Sequence, residues 1–261
     1  MRRHGLVLGL LVACLLWVSP AWAAPAWVKD VVLQTALDTT PNNSQIVTTG
    51  QTVAQGNTLI VVGGRYINAA GDTIASVMDS QGNTYTVDVA GFNMGGADAQ
   101  VGVARGYMTT ALTATDTVTI QWTNAAATSY FFGQLIEYSG IASTTPKDQT
   151  ANATAFRTQA DGITSGATPT TTQADELLFG VLHVQSGTET ISAGTNWTMR
   201  TQSAWGGGSF VQGVEDQVVS ATGAYTATGS WVAGSQTEGA IIVTYKAASV
   251  ATTNRRHSKP F

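Results

Sequence analysis

The chain has 261 residues, of which 43% are hydrophobic and only 11% are charged. It carries 12 Lys and Arg residues against 16 Asp and Glu residues, which gives a net charge of −4. So few cations cannot supply the phosphate neutralisation on which nucleic-acid binding depends, so we expect no nucleic-acid partner. The single cysteine, Cys14, excludes an internal disulfide and a multi-cysteine metal site.

Residues 1–23 have the pattern of an export signal. Arg2 and Arg3 precede the apolar run Leu6–Val18, and Ala21-Trp22-Ala23 supplies the small residues that a signal peptidase reads. We expect cleavage after Ala23 and an extracellular, periplasmic or cell-surface location. The mature chain is then expected to have no transmembrane anchor.

An alternative use of the leader depends on Cys14. The segment Leu11-Val12-Ala13-Cys14 resembles a lipobox, which would place a lipid anchor on that cysteine. The apolar run continues past Cys14, whereas the residues after a lipobox are usually polar. Signal-peptide cleavage is therefore the preferred interpretation.

Alternation of apolar and polar residues predicts seven strands in the first half of the chain, residues 27–140. They cover residues 27–37, 58–66, 74–78, 84–87, 100–108, 117–122 and 130–138. Clusters of turn-forming residues at 38–44, 79–83 and 92–96 separate several of these strands. No stretch keeps a helical period over three turns, so an all-β fold is expected.

Residues 117–138 show the clearest strand pattern. Val118, Ile120 and Trp122 alternate with polar residues, which predicts one buried face and one solvated face. The strand at 130–138 is apolar on both faces and is therefore expected to lie in the middle of a sheet.

The second half, residues 175–246, repeats features of the first. Residues 212–231 align with 103–122 without a gap, and both segments end in Trp before an apolar strand that ends in Tyr. A buried strand is predicted at 177–184, with Glu176 aligned with Thr58. The predicted fold is one domain over residues 24–246, a two-sheet antiparallel β-sandwich of the jelly-roll type, built from two similar halves. Residues 148–173 would connect the halves, and residues 247–261 would form a flexible polar tail.

Three segments carry a resemblance to known proteins. Residues 77–86 (VMDSQGNTYT), the strand end Ile136–Gly140 and the segment Asp175–Gly180 are similar to a broad group of secreted bacterial jelly-roll-like β-sandwich domains of mostly unassigned function. The resemblance spans most of residues 27–246. It implies a fold and an exported location, and it implies no active-site residues.

Exposed aromatic rings that stack on sugars are the basis of the first site hypothesis. Trp205 precedes Gly206-Gly207-Gly208, which predicts a loop tip or strand end. Phe92 and Asn93 begin a similar glycine-rich loop in the first half. If both loops lie at one edge, Trp205, Phe92 and Asn93 would form a ligand-binding patch for polysaccharide or another cell-surface component. The alternative is that these rings cover the ends of the sandwich.

A calcium site is a second hypothesis. Asp79, Gln81 and Asn83 could supply oxygen ligands to a hard cation, but the segment Asp-Ser-Gln-Gly-Asn is also typical of a tight turn. The turn is the preferred interpretation, and no other cofactor is predicted.

Catalytic constellations are sparse. His183 could serve a nucleophile, but it lies in an apolar strand and is expected to be structural. Glu137 with a partner such as Glu215 could form a glycosidase pair. The simpler interpretation is that the Glu137 carboxylate pairs with an arginine or with backbone donors near the strand end. We therefore predict no catalytic residues. The chain is expected to be an exported, non-catalytic binding or surface module, with carbohydrate as one candidate ligand. A structural or assembly protein that uses an unpaired edge strand is the alternative, and a hydrolase is the third hypothesis.

Overall fold

The computed structural model describes residues 22–38, 42–67, 71–94, 99–126, 129–232 and 234–249. Nearly all of the expected export signal, including Cys14, lies outside the described residues. Most of the predicted tail does so too.

The strands of the first half are β1 (Trp22–Ala23), β2 (Ala26–Asp38), β3 (Asn42–Thr48), β4 (Thr58–Tyr66), β5 (Ile74–Asp79), β6 (Tyr85–Asn93), β7 (Ala99–Tyr107), β8 (Thr117–Ala126) and β9 (Ser129–Ser139). Seven of them lie at the positions that the alternation predicts, with β6 and β8 extending further. The strands β1 and β3 were not predicted, and β3 begins within residues 38–44, which were expected to form a turn. The strand β4 has the predicted bounds, and β9 is buried on both faces as expected.

The second half repeats this arrangement with shorter outer strands. They are β10 (Lys147–Thr158), β11 (Ile163–Thr164), β12 (Asp175–Val184), β13 (Ser192–Ala193), β14 (Thr198–Trp205), β15 (Phe210–Ser220), β16 (Thr228–Ser230), β17 (Ser235–Lys246) and β18 (Ala248–Ser249). The described residues include one helical element, the three-residue 3₁₀ turn Gln159–Asp161. No helix in this part of the chain has the length and hydrophobicity to cross a bilayer.

Two five-stranded antiparallel sheets form the middle of the molecule. Their strand orders are β2-β9-β4-β7-β6 and β10-β17-β12-β15-β14. Side chains from both sheets share one apolar cluster, which we call the central core; it includes Ile60, Phe132, Phe179 and Ile241. The predicted sandwich of two packed sheets is therefore confirmed.

Each central sheet also carries a smaller sheet on its outer face. The orders are β3-β8-β5 in the first half and β11-β16-β13 in the second. Trp122 and Trp231 are buried in the two apolar clusters beneath these sheets, which we call the first and second outer cores. The molecule is thus a stack of three, five, five and three strands, in which each half is itself a small sandwich.

The strand ladders define how the halves correspond. Trp27 lies opposite Tyr138 in the first half, and Lys147 lies opposite Tyr245 in the second. Thr58 pairs with Tyr138 and Leu177 pairs with Tyr245, so Thr58 corresponds to Leu177. The alignment of Thr58 with Glu176 was wrong by one residue, and in a strand that shift exchanges the two faces.

Two predicted boundaries were also wrong. Residues 148–173 were expected to be a connection, but β10 occupies most of the first part and pairs with β17 along the edge of a central sheet. The tail was expected from residue 247, but Ala247 is buried and β18 continues the fold to Ser249. Both segments contain few large apolar side chains, so the alternation of apolar and polar residues that predicts a strand is weak in them.

Candidate binding cleft

Trp205 is not an exposed ring. It ends β14 as predicted, and Gly206–Gly208 form the following turn with positive φ angles, but its side chain is only 2% exposed. The indole contacts Phe132, His183 and Phe210 inside the central core. The prediction that it stacks on a ligand was therefore wrong, because the turn directs the ring inward.

Phe92 and Asn93 belong to β6 rather than to a loop, and both are half-buried. Phe92 packs against the central core. The edge strand β6 lies over β10, whereas β14 lies over β2 at the opposite edge of the sheets. The predicted patch of Trp205, Phe92 and Asn93 is therefore not formed.

The segment predicted as a turn or a calcium site forms a turn. Asp79 Oδ1 accepts hydrogen bonds from the backbone N–H groups of Gln81 (2.9 Å) and Asn83 (3.1 Å). Its Oδ2 accepts from Asn83 Nδ2 (2.9 Å) and Tyr85 Oη (2.9 Å). A cation at Asp79, Gln81 and Asn83 would have to replace these bonds. No group of three or more His, Cys, Asp and Glu side chains suited to a metal ion occurs among the described residues.

Glu137 and Glu215 do not form a pair. Glu137 faces the first outer core, where it accepts hydrogen bonds from the Ala54 backbone N–H (2.8 Å) and Asn57 Nδ2 (2.7 Å). Glu215 lies against Gly180 in the second half, on the outer face of the other central sheet. Both central sheets separate the two carboxyl groups, so a glycosidase mechanism that uses both is excluded.

His183 is structural, as the sequence predicts. It is fully buried in the central core, and burial lowers the pKa of its imidazole to about 3. The neutral ring packs against Trp205 and Phe210.

The first half contains a charged network around Asp88 that no sequence pattern indicated. Asp88 accepts a hydrogen bond from Tyr245 Oη (2.9 Å), which reaches across from the second half. Arg105 forms a short ion pair with the same carboxylate, and its guanidinium lies 5.9 Å from the centre of the Tyr245 ring. Burial and the nearby Asp88 charge raise the pKa of Tyr245, so its hydroxyl remains a donor.

The second half contains a matching network. Asp216 accepts hydrogen bonds from Tyr138 Oη (2.7 Å) and, through both oxygens, from Arg200 Nε and Nη2 (2.8 Å each). Tyr138 belongs to the first half, so each half sends one tyrosine to a carboxylate of the other.

The two networks occupy corresponding places with their charges exchanged. Arg105 pairs with Thr86 across its ladder, and Asp216 pairs with Thr198. Asp88 and Arg200 each lie two residues further on, where the ladder register shifts. Both halves therefore have an ion pair at this place in the backbone, but the acidic and the basic residue exchange strands between the halves.

The networks differ in what covers them. Trp27 lies over Arg200, with the guanidinium 4.7 Å from the ring centre. Lys147, the residue corresponding to Trp27, instead donates from Nζ to the backbone carbonyl of Asp88 (2.7 Å). A lysine therefore contacts Asp88 in the first half at the place where a tryptophan contacts Arg200 in the second half.

A cleft of about 270 Å³ opens beside Arg105. Besides Arg105, its lining is dominated by residues that carry a hydroxyl group: Thr58, Thr84, Thr86, Tyr107, Thr109, Ser143 and Thr145. In the described part of the chain, the hydroxyls of Thr84, Thr86 and Tyr107 make no hydrogen bond to other side chains or backbone atoms. One N–H group of Arg105 is bonded to Asp88, which leaves the others available.

One residue of the cleft has an unusual backbone. Thr145 has φ 44°, a left-handed conformation that a β-branched residue rarely adopts. Strain of this kind persists where the surrounding structure imposes it, and it occurs often at binding sites. The sequence signal for the cleft was weak, because its residues come from four separate segments and half of them are threonine.

No protein-family model, curated protein or solved structure matches this chain. The similarity to secreted jelly-roll-like domains therefore stays a prediction, and the geometry of the chain itself is the guide to its function.

Proposed function

We propose that this protein is an exported, non-catalytic module that binds a neutral saccharide in the cleft over Arg105. The observation that carries the proposal is the concentration of seven hydroxyl-bearing side chains around one guanidinium. Hydroxyl and guanidinium groups are complementary to the hydroxyls of a sugar, which both donate and accept hydrogen bonds.

The charge of the cleft supports a neutral ligand. Asp88 neutralises Arg105, and Lys147 directs its ammonium to a backbone carbonyl rather than into free space. An anionic ligand would therefore meet little uncompensated positive charge. The N–H donors of Arg105 remain available for directional bonds to ring and hydroxyl oxygens.

The corresponding positions of the second half support a polar ligand in the cleft. The residues corresponding to Thr58 and Tyr107 are Leu177 and Val218. These positions are apolar in the second half, where Val218 is 47% exposed, whereas hydroxyl groups line the cleft in the first half.

Export is part of the proposal and is supported by the charge and hydrophobicity pattern of residues 1–23. Polysaccharide at the cell surface is the partner that this location would provide. A catalytic role has no support among the described residues, since the buried carboxyl groups Glu137 and Glu215 are far apart in the fold.

The test is a glycan array followed by calorimetric titration of the sugars that bind. Tyr107→Ala is expected to weaken binding at least about tenfold, because one hydrogen bond and one ring contact are lost. Val218→Ala changes the corresponding residue of the second half and is the matched control.

A second variant fills the cleft. Thr84→Trp places a large side chain at an exposed position of the cleft lining and is expected to abolish binding while the melting temperature stays close to that of the wild type. Saccharide binding that survives Thr84→Trp would place the site elsewhere. An array without any bound sugar would refute the proposal.

A further inference from the structure

The edges of the two central sheets are protected to different degrees. Four strands lie at these edges: β2, β6, β10 and β14. The ladder register shifts twice along β2, twice along β6, once near the start of β14 and once near the start of β10, between Lys147 and Thr150. The ladder of β10 is continuous from Thr150 to Thr158. Natural edge strands are usually interrupted by bulges or carry charges that prevent pairing with other chains, so β10 is unusual.

The side chains of β10 also lack protection. Residues 149–156 (QTANATAF) contain no charged residue and no proline. Ala151, Ala153 and Ala155 lie on the face toward the second outer core, where their partners on β17 are Ile242, Ala240 and Glu238. Asn152 and Phe156 lie on the other face, where Phe156 is 73% exposed. Within the described part of the chain, β17 is the strand that pairs with β10, and its other edge is open.

We propose that β10 pairs antiparallel with β10 of a second copy of this chain, about a two-fold axis near Ala153. The uncharged segment Thr150–Phe156 is centred on Ala153, so the same residues meet on both sides of the axis. Ala153 lies opposite its own copy, Asn152 opposite Thr154, and Thr150 opposite Phe156. The two five-stranded sheets become one ten-stranded sheet.

Charge and symmetry favour a second copy over other extended partners. The chain is acidic, with a net charge of −4, so two copies repel one another over most of their surfaces. The uncharged face of β10 is a place where they can approach without that repulsion. An isologous contact uses the same strand on both subunits, so assembly stops at a dimer.

The test is sedimentation velocity over a range of about 1 to 500 µM, because a single strand pair is smaller than a standard interface of roughly 1,200–2,000 Å². The wild type is expected to shift from monomer to dimer within this range. Asn152→Lys and Asn152→Glu each place like charges diagonally across the axis, and each is expected to be a monomer. An equimolar mixture of the two variants is expected to recover the dimer, a result that a folding defect cannot produce.

Phe156→Ser provides a second measurement and is expected to weaken the dimer at least tenfold. Its control is Ile46→Ser, which removes an exposed apolar side chain from β3 and leaves the edge strand β10 unchanged. A wild type that is monomeric throughout the range would overturn the proposal. Equal loss in Ile46→Ser, or a mixture of charge variants that stays monomeric, would also overturn it.

The dimer does not depend on the cleft. Tyr107→Ala is expected to leave the sedimentation of the protein unchanged, and Asn152→Lys is expected to leave saccharide titrations unchanged. Failure of one proposal is therefore distinguishable from failure of the other.

Discussion

The two outer cores have the same backbone plan and bury different chemistry. In the first half, Arg65 is fully buried, forms a 2.7 Å ion pair with Asp72, and lies over the ring of Phe131. The corresponding residue in the second half is Val184, and the residue corresponding to Phe131 is Glu238. The comparison teaches that strand register fixes where side chains meet, whereas the identity of the meeting side chains can change completely.

The second outer core carries acids where the first carries neutral residues. Glu176, Glu215 and Glu238 are all fully buried, and burial raises their pKa values to about 8, 8 and 7. The residue that corresponds to Glu215 is Ala104, which faces Val61; Glu215 faces Gly180. In both halves a small residue therefore lies opposite a larger one. The small residue is Ala104 on β7 in the first half and Gly180 on β12 in the second.

The comparison is tested most strongly at Arg65. Arg65→Ala is expected to lower the free energy of unfolding by about 3–5 kcal/mol, because Asp72 is left buried without its cation. Val184→Ala at the corresponding position removes only apolar contacts and is expected to cost about 2 kcal/mol. Denaturant unfolding measures both values.

Arg65→Met separates the charge from the volume of the side chain. It keeps most of the apolar contacts and still leaves Asp72 unpaired, so its cost is expected to stay near that of Arg65→Ala. Equal costs for Arg65→Ala and Val184→Ala would show that the ion pair adds nothing to the first half.

The acids of the second half predict an unusual pH dependence. The folded Glu215 carboxyl stays protonated up to about pH 8, whereas the unfolded one ionises near its ordinary pKa of 4.5. Between these values the unfolded state binds fewer protons, so raising the pH destabilises the fold. Glu215→Gln removes this contribution and is expected to raise the melting temperature at pH 8 by several degrees, with a smaller change at pH 5.

Scanning calorimetry between pH 5 and 9 measures this difference. Ala104→Gln, at the corresponding place in the first half, is the control and is expected to destabilise at every pH. A melting temperature that depends on pH equally in Glu215→Gln and the wild type would contradict the assignment.

The reciprocal tyrosines offer a smaller and more symmetrical test. Tyr138→Phe and Tyr245→Phe each remove one buried hydrogen bond to a carboxylate, so each is expected to cost about 1.5–3 kcal/mol. Because the two networks share no residue, the double variant is expected to show the sum of the two costs within about 0.5 kcal/mol. A large inequality between the single variants would mean that the networks match in position and not in energy.

The smallest expected effect is at the cleft. Thr145→Gly relieves the left-handed strain and adds the flexibility of glycine to the unfolded chain, for a net gain of about 1 kcal/mol. Chemical denaturation measures the gain. Loss of stability would show that the Thr145 side chain contributes more than its backbone costs.

The sequence allowed most strands to be predicted because their apolar residues alternate. The strand β10 was missed since it alternates Ala with Thr and Asn, and its small side chains suffice at a sheet edge. The turn at Gly206–Gly208 was predicted correctly, yet no local pattern shows that Trp205 points into the core. Its neighbours Phe132 and His183 are remote in sequence.

The candidate cleft was beyond the reach of sequence patterns for a related reason. Its lining comes from four segments, and Asp88, the partner of the lining residue Arg105, sits at a register shift, where alternation is interrupted. The one available signal was the tyrosine that ends both β9 and β17, which indicated equivalent positions without indicating what their hydroxyl groups contact.

The reciprocal tyrosines also constrain the order in which the chain can finish folding. Asp88 receives its hydrogen bond from Tyr245, which is made 157 residues later. When the first half leaves the ribosome, Asp88 therefore still lacks the hydrogen bond from Tyr245. Contacts so distant along the chain form late and slowly, which keeps the nascent protein open.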